Sequence, residues 1–281
     1  MYTIGTQLFG YKDEFEKDLY GTFKAIKELG YGLVEGLIIP QDDQGDRTKN
    51  FWALSTFKDV VKYTKELGLQ MISIHVSFDY KAEKPATIAH YMQKVTELSE
   101  IRTFIFSGMF STAEDARAYG LYLNEVLAEA ESLGFGKEIL MLVHNHGMEF
   151  TRIAPHEYVI DELLKAARPE IGMELDFGWA DYADVPLEDL PKYFDRTCMI
   201  HLKDFYEQEK DGTHADTDVN SFAPIGMGVT PVPEDLKFLK DIPNLRPYVI
   251  IDQDYYPEGI LKAAAMPFIP IWQLLLLSGM H

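Results

Sequence analysis

Short β-rich runs alternate with longer helical patterns along nearly the whole chain, and that alternation restricts the fold more than any other feature. Strand character falls near residues 2–7, 31–37, 70–76, 102–107, 138–144, 171–176, 197–203 and 247–253. Helical periodicity covers 13–29, 54–67, 85–100, 112–134, 155–167, 187–194, 232–240 and 257–266. The stretch "EDARAYGLYLNEVLAEAESLG" spaces its apolar residues by three and four and stops at Gly134. "KELG" occurs twice, at Lys27–Gly30 and Lys65–Gly68, each time before a β-rich run, as a glycine helix cap would. Strands joined through a crossover helix run parallel. Eight such units in 281 residues predict an α/β fold with one domain over 1–281, a closed (β/α)₈ barrel. An open doubly wound sheet is the rival, but it wants a glycine-rich phosphate turn after an early strand. "TIGTQLFGYKDEF" has glycines without the G-x-G-x-x-G spacing.

No stretch rich in Pro, Gly or Ser divides the chain. The polar segment from Gln208 to Gly228 reads as a long loop after the seventh strand, where function tends to concentrate. The formal charge of −19 argues against nucleic-acid partners, because affinity for a phosphate backbone comes from Lys and Arg. The single cysteine, Cys198, allows no disulfide framework and fits a reducing, cytoplasmic setting. Its apolar surroundings, "TCMIHLKDF", make it a core residue. "MYTIGTQLFG" lacks the features of a secretory signal. The apolar tail over 260–281 is broken by Lys262, Pro267, Pro270 and Gln273, which argues against a membrane span. It fits a last helix packed on the barrel, or an apolar contact with another copy or a small partner subunit.

Active sites of such barrels lie at the C-terminal strand ends, and alternation decides which side chains point inward. Inward sets on the later strands are Leu142, His144 and His146; Glu174 and Asp176; Met199, His201 and Lys203; and Tyr248, Ile250, Asp252 and Asp254. Glu149 follows just past the fifth strand, and Glu35 and His75 come from earlier ones. A lone His or Asp at a strand end is more often a capping or hydrogen-bonding group than a ligand. Glu149, Asp176, His201 and Asp252 on separate strands shift that balance. Oxygens with one or two imidazoles suit Mn²⁺, Mg²⁺, Co²⁺ or Zn²⁺. Without a cation, those carboxylates would repel one another.

The motifs "HNHGMEF", "MELDFGW", "IHLKDF", "PIGMG" and "IIDQD", in that order, resemble the xylose isomerase-like TIM barrel superfamily, and within it the sugar phosphate isomerase/epimerase group. The resemblance runs from Met1 to about Gly259. It implies one divalent ion, Mn²⁺ first among the candidates, held by Glu149, Asp176, His201 and Asp252. It also implies an isomerase or epimerase that removes the proton α to the carbonyl of a keto-sugar or sugar phosphate, through a metal-stabilised enediolate. His144, His146 and Glu174 are the candidate bases, and Lys203 the cation that offsets negative charge. Glu35, His75, Trp179, Gly226 and Gly228 would face the carbohydrate. Three points depart from the family pattern. Asp252 replaces the usual Glu. Trp179 replaces the His of well-studied sugar epimerases. His144 stands where many relatives have Glu, so His144 and Glu149 are alternatives for the ligand from the fifth strand. Two further readings share the motifs: a lyase that expels an aglycone from a 3-keto-glycoside, as C-glycoside deglycosidases do, and a non-catalytic sugar-binding protein.

Overall fold

Eight strands close a parallel barrel in the computed structural model, which describes residues 2–40, 54–207 and 221–266. The strands are β1 (Thr3–Gln7), β2 (Leu33–Ile38), β3 (Gln70–Val76), β4 (Thr103–Ser107), β5 (Leu140–His144), β6 (Gly172–Asp176), β7 (Thr197–Leu202) and β8 (Tyr248–Ile251). Their order around the barrel is β1-β8-β7-β6-β5-β4-β3-β2. Each predicted strand is present, shortened by at most a few residues.

The helices are α1 (Lys12–Lys17), α2 (Leu19–Glu28), α3 (Leu54–Glu66), α4 (Pro85–Leu98), α5 (Ala113–Ser132), α6 (Val159–Ala166), α7 (Phe177–Tyr182), α8 (Val232–Phe238) and α9 (Ile260–Ala265). Both "KELG" motifs end as expected, with Gly30 at φ 99° and Gly68 at φ 65°. Four departures from the predicted helices have local causes. The first helix is broken at Asp18, whose extended backbone starts α2 and whose carboxylate caps Gly21 N–H at 2.9 Å. Residues expected to begin a helix at 155 instead form a hairpin, Arg152–Ala154 with Glu157–Tyr158, turned by His156 at φ 59°. The segment Leu187–Tyr193 is a 3₁₀ helix with Pro191 inside it. The short helix α7 was not anticipated. Of the long loop, 208–220 lies outside the described residues, as does 267–281 of the apolar tail.

The barrel interior is graded along its axis. Ile105, Leu142, Met199 and Ile250 form a buried apolar floor, with Ile72, Leu140, Cys198 and Tyr248 packed partly buried beside it. One alternation step further, the same strand faces carry His144, His201 and Asp252. Helices and the outer strand faces build the larger core around this cylinder. Among the described residues, no helix is long and apolar enough to cross a membrane.

Leu142 is fully buried in that floor. Leu142→Ala is expected to lower the unfolding free energy by about 2–5 kcal/mol in a denaturant titration. A loss below about 1 kcal/mol would show that the floor is not tightly packed.

Candidate metal centre

Above the floor lies a layer of buried carboxylates and imidazoles. Glu35 points into the barrel by the alternation of β2, and the β2–β3 register shift, with Ile72 the extra residue, sets Ser73 opposite it. Its Oε2 accepts from Ser73 Oγ at 2.5 Å. Its Oε1 faces His75 Nε2 at 2.8 Å and His201 Nε2 at 2.7 Å. Glu174 Oε2 lies 3.2 Å from each of those nitrogens and 3.3 Å from His144 Nδ1, without an aligned hydrogen bond to any of them. Burial would raise the Glu35 carboxyl, yet the His201 and His75 imidazoles hold it below the usual carboxylate range. Burial disfavours charge on His75, but Glu35 and Glu174 raise it to about 9. His144 carries less compensation, and burial pulls it well below the usual imidazole range.

The upper layer is different, because its polar atoms have fewer partners. Asp176 ends β6 and caps α7, with Oδ1 accepting the Trp179 N–H at 2.9 Å. Its Oδ2 has no hydrogen-bond partner. Asn145 steadies it by bonding both backbone groups of Asp176 at 3.0 Å. His201 turns Nδ1 toward Asp252 Oδ2 at 3.4 Å and Asp176 Oδ2 at 3.9 Å. Asp252 Oδ2 meets Lys203 Nζ at 2.8 Å, while Oδ1 is unpartnered. Burial pushes the Asp176 carboxyl up to about 7. Asp252 resists the same burial because Lys203 and His201 hold it well below the usual range.

Two sets of four ligating groups have atoms within 4.8 Å of one another: His75, His144, Glu174 and His201, and His144, Asp176, His201 and Asp252. In the first, the Nε2 atoms of His75 and His201 are already committed to Glu35. In the second, His144 Nδ1, Asp176 Oδ2, His201 Nδ1 and Asp252 Oδ1 are all buried without hydrogen-bond partners. Two imidazoles and two carboxylates with free lone pairs are a donor set that fits a divalent cation.

The expected ligands Asp176, His201 and Asp252 are thus brought together. Glu149 lies outside both sets. Its Oε1 accepts from Met109 N at 2.6 Å and Phe110 N at 3.2 Å, and its Oε2 from His146 N at 2.9 Å. It pins the loop after β4 to the loop after β5, and His144, the alternative, is the β5 residue in both sets. Glu174, His75 and Glu35 sit in the deep layer, packed against imidazoles rather than facing the opening. His146, half-buried, lies 5.7 Å from the Trp179 ring by centroids, and burial pushes it down to about 3. Trp179 packs on Phe205 and Phe222 with Lys203 Nζ 5.0 Å from its ring centroid, and its Nε1 is unpartnered.

Gly226 and Gly228 also answer to a different neighbour from the one expected. Both donate their N–H groups to Asp204 Oδ2, at 2.8 and 2.9 Å, and a Cβ on Gly228 would fall 2.2 Å from Asp204 Oδ1. Sequence reasoning missed Asp204 and Asn145, although "HLKD" and "HNH" contain them. It also left Asp254 without a role. Asp254 contacts Lys203 Nζ at 2.5 Å and is raised to about 6 by burial and the Asp252 charge.

Residues 23–265 match the family model described as the xylose isomerase-like TIM barrel. No curated protein sequence matches the chain significantly. Among solved structures, a sugar phosphate isomerase/epimerase from Parabacteroides distasonis is similar at 20% identity and a TM-score of 0.70, over 94% of this chain and 91% of that one. A second sugar phosphate isomerase/epimerase from the same organism gives 20% and 0.68, over 97% of each chain. D-psicose 3-epimerase from Clostridium cellulolyticum, solved with D-tagatose, gives 12% and 0.63, over 94% and 89%.

Asp204 also accepts from Phe205 and Thr230, at 2.8 and 3.0 Å. Asp204→Ala is therefore expected to speed amide exchange at Gly226, Gly228 and Thr230 by at least about tenfold, with the β6 and β7 amides unchanged. Unchanged exchange at those three amides would remove Asp204 as the anchor of the loop.

Proposed function

Because this chain belongs to the xylose isomerase-like TIM barrel family, we propose that it is an enzyme that isomerises or epimerises a keto-sugar or sugar phosphate with one divalent cation. His144, Asp176, His201 and Asp252 would hold the ion. The observation that carries this reading is that these four buried residues, on or just past four different strands, bring ligating atoms within 4.8 Å of one another, where Asp176 Oδ2 and His201 Nδ1 lack hydrogen-bond partners. The sugar-directed names of the structural neighbours support the substrate class. A bound divalent ion supplies a Lewis acid at a substrate carbonyl. Mn²⁺ remains the first ion to try; the second imidazole, in place of a carboxylate, also favours Zn²⁺ and Co²⁺ over Mg²⁺.

The chain's own groups divide the remaining work. Proton transfer needs groups that reach the substrate and are not occupied as ligands. Glu174 lies too deep, and His144 belongs to the ligand set. His146 remains, neutral around pH 7 with an unpartnered Nδ1. Asp254 is the second such group, partly exposed and able to exchange a proton near pH 6. They follow β5 and β8, three strands apart around the barrel, an arrangement suited to proton removal on one face and return on another. Lys203, bridging Asp252 and Asp254, offsets negative charge on the substrate side. Trp179 and Phe222 offer it an apolar wall.

Mn²⁺-loaded protein incubated in D₂O with ketohexoses and their phosphates should place deuterium on the carbon next to the carbonyl, and His201→Ala should abolish the exchange. Aglycone release from a 3-keto-glycoside would move the reading to a lyase. Sugar binding that is indifferent to chelator, with no exchange, would contradict catalysis altogether.

The ligand from β5 can be settled by titration. His144→Ala should weaken Mn²⁺ binding at least about tenfold, while Glu149→Gln should stay within about threefold of wild type. The reverse order would return Glu149 to the ligand set.

A further inference from the structure

We propose that Glu35 is the positioning residue that makes His201 a ligand through Nδ1; this rests on the metal reading above. Three observations carry it. Glu35 is 0% exposed, and both its oxygens are engaged inside the barrel, so it presents nothing to a substrate. A carboxylate held between imidazoles has no proton to give, so the 2.7 Å contact to His201 requires the N–H on Nε2. The remaining ring nitrogen, Nδ1, is then the one free to offer a lone pair, and it is the atom turned toward Asp176 and Asp252.

The surroundings of Glu35 keep that orientation single-valued. Ser73 takes Oε2, and His75 shares Oε1 from the opposite side, with its ring 5.7 Å from that of His201 and inclined by 28°. The β2–β3 register shift, with Ile72 the extra residue, sets Ser73 opposite Glu35. Without Glu35, the nearest acceptor to His201 Nε2 is Glu174 Oε2 at 3.2 Å, which is poorly aligned and is also approached by His75 and His144. The ring would lose the bond that selects its tautomer and gain freedom to rotate. A carboxylate behind a metal-bound imidazole also raises the basicity of the ligand, and its loss typically costs about 10–100-fold in metal affinity.

The test uses the whole chain with Mn²⁺ and Zn²⁺ alone. Glu35→Gln should bind Mn²⁺ about 10–100-fold more weakly than wild type in an electron paramagnetic resonance titration, and Ser73→Ala should show a smaller loss in the same direction. Near-ultraviolet circular dichroism checks that the variants keep native packing. Independently of any variant's folding, ¹⁵N-histidine-labelled wild type loaded with Zn²⁺ should show His201 protonated at Nε2 and metal-bound at Nδ1. A natively packed Glu35→Gln with Mn²⁺ affinity within about twofold of wild type, or His201 bound through Nε2, would overturn the assignment while leaving the metal centre intact. Failure of the wild type to bind either ion would instead remove the metal reading, and the positioning role with it.

Discussion

A carboxylate moved out of water and left unpaired costs several kcal/mol even after the protein relaxes around it. The barrel of this protein encloses four: Glu35, Glu174, Asp176 and Asp252. The rest of the interior is arranged around compensating them. The deep pair share the N–H groups of His75 and His201, and Glu35 and Glu174 in turn keep His75 charged where burial alone would strip it. Asp252 has Lys203. Asp176 is the least compensated, with one backbone N–H on Oδ1, nothing on Oδ2, and a carboxyl raised to about 7 by burial. A positive charge against Asp176 Oδ2 is what the upper layer lacks beyond Lys203, and the His144, His201 and Asp252 atoms without partners are the neighbours with which a cation there would be shared.

His201 joins the two layers. Its Nε2 belongs to the deep carboxylate and its Nδ1 to the open end, so one ring transmits the order of the barrel's interior to its mouth. The loops above are organised by acids that face backbone rather than substrate. Glu149 gathers three N–H groups and ties the loops after β4 and β5, and Asp204 gathers four and seats the "PIGMG" turn. These carboxylates fix the rim so that Trp179, His146 and Asp254 can be held near the ligand set.

The eight strands and their parallel order were legible in the alternation of β-rich and helical patterns, since each crossover helix leaves a long periodic run. Alternation within a strand also placed Asp176, His201 and Asp252 together inside the barrel, because residues two apart share the inner face. What stayed hidden depended on depth and loop conformation, which periodicity does not encode. Glu149 sits at a spacing that permits coordination, yet the left-handed Met109 (φ 63°) brings two N–H groups onto one of its oxygens. Glu174 shares a face with Asp176 but lies one step lower, among imidazoles. The partner of Glu35, Ser73, is set opposite it by a register shift that no motif announces. The breaks at Asp18 and His156 are single-residue backbone events inside otherwise helical patterns.

The most direct examination of this account is an anomalous difference map from a crystal soaked with Mn²⁺. The account predicts one strong peak at the barrel mouth, with one atom each from His144, Asp176, His201 and Asp252 within about 2.0–2.3 Å. A barrel with no peak, or a peak bound by Glu149 and away from His144, would contradict it.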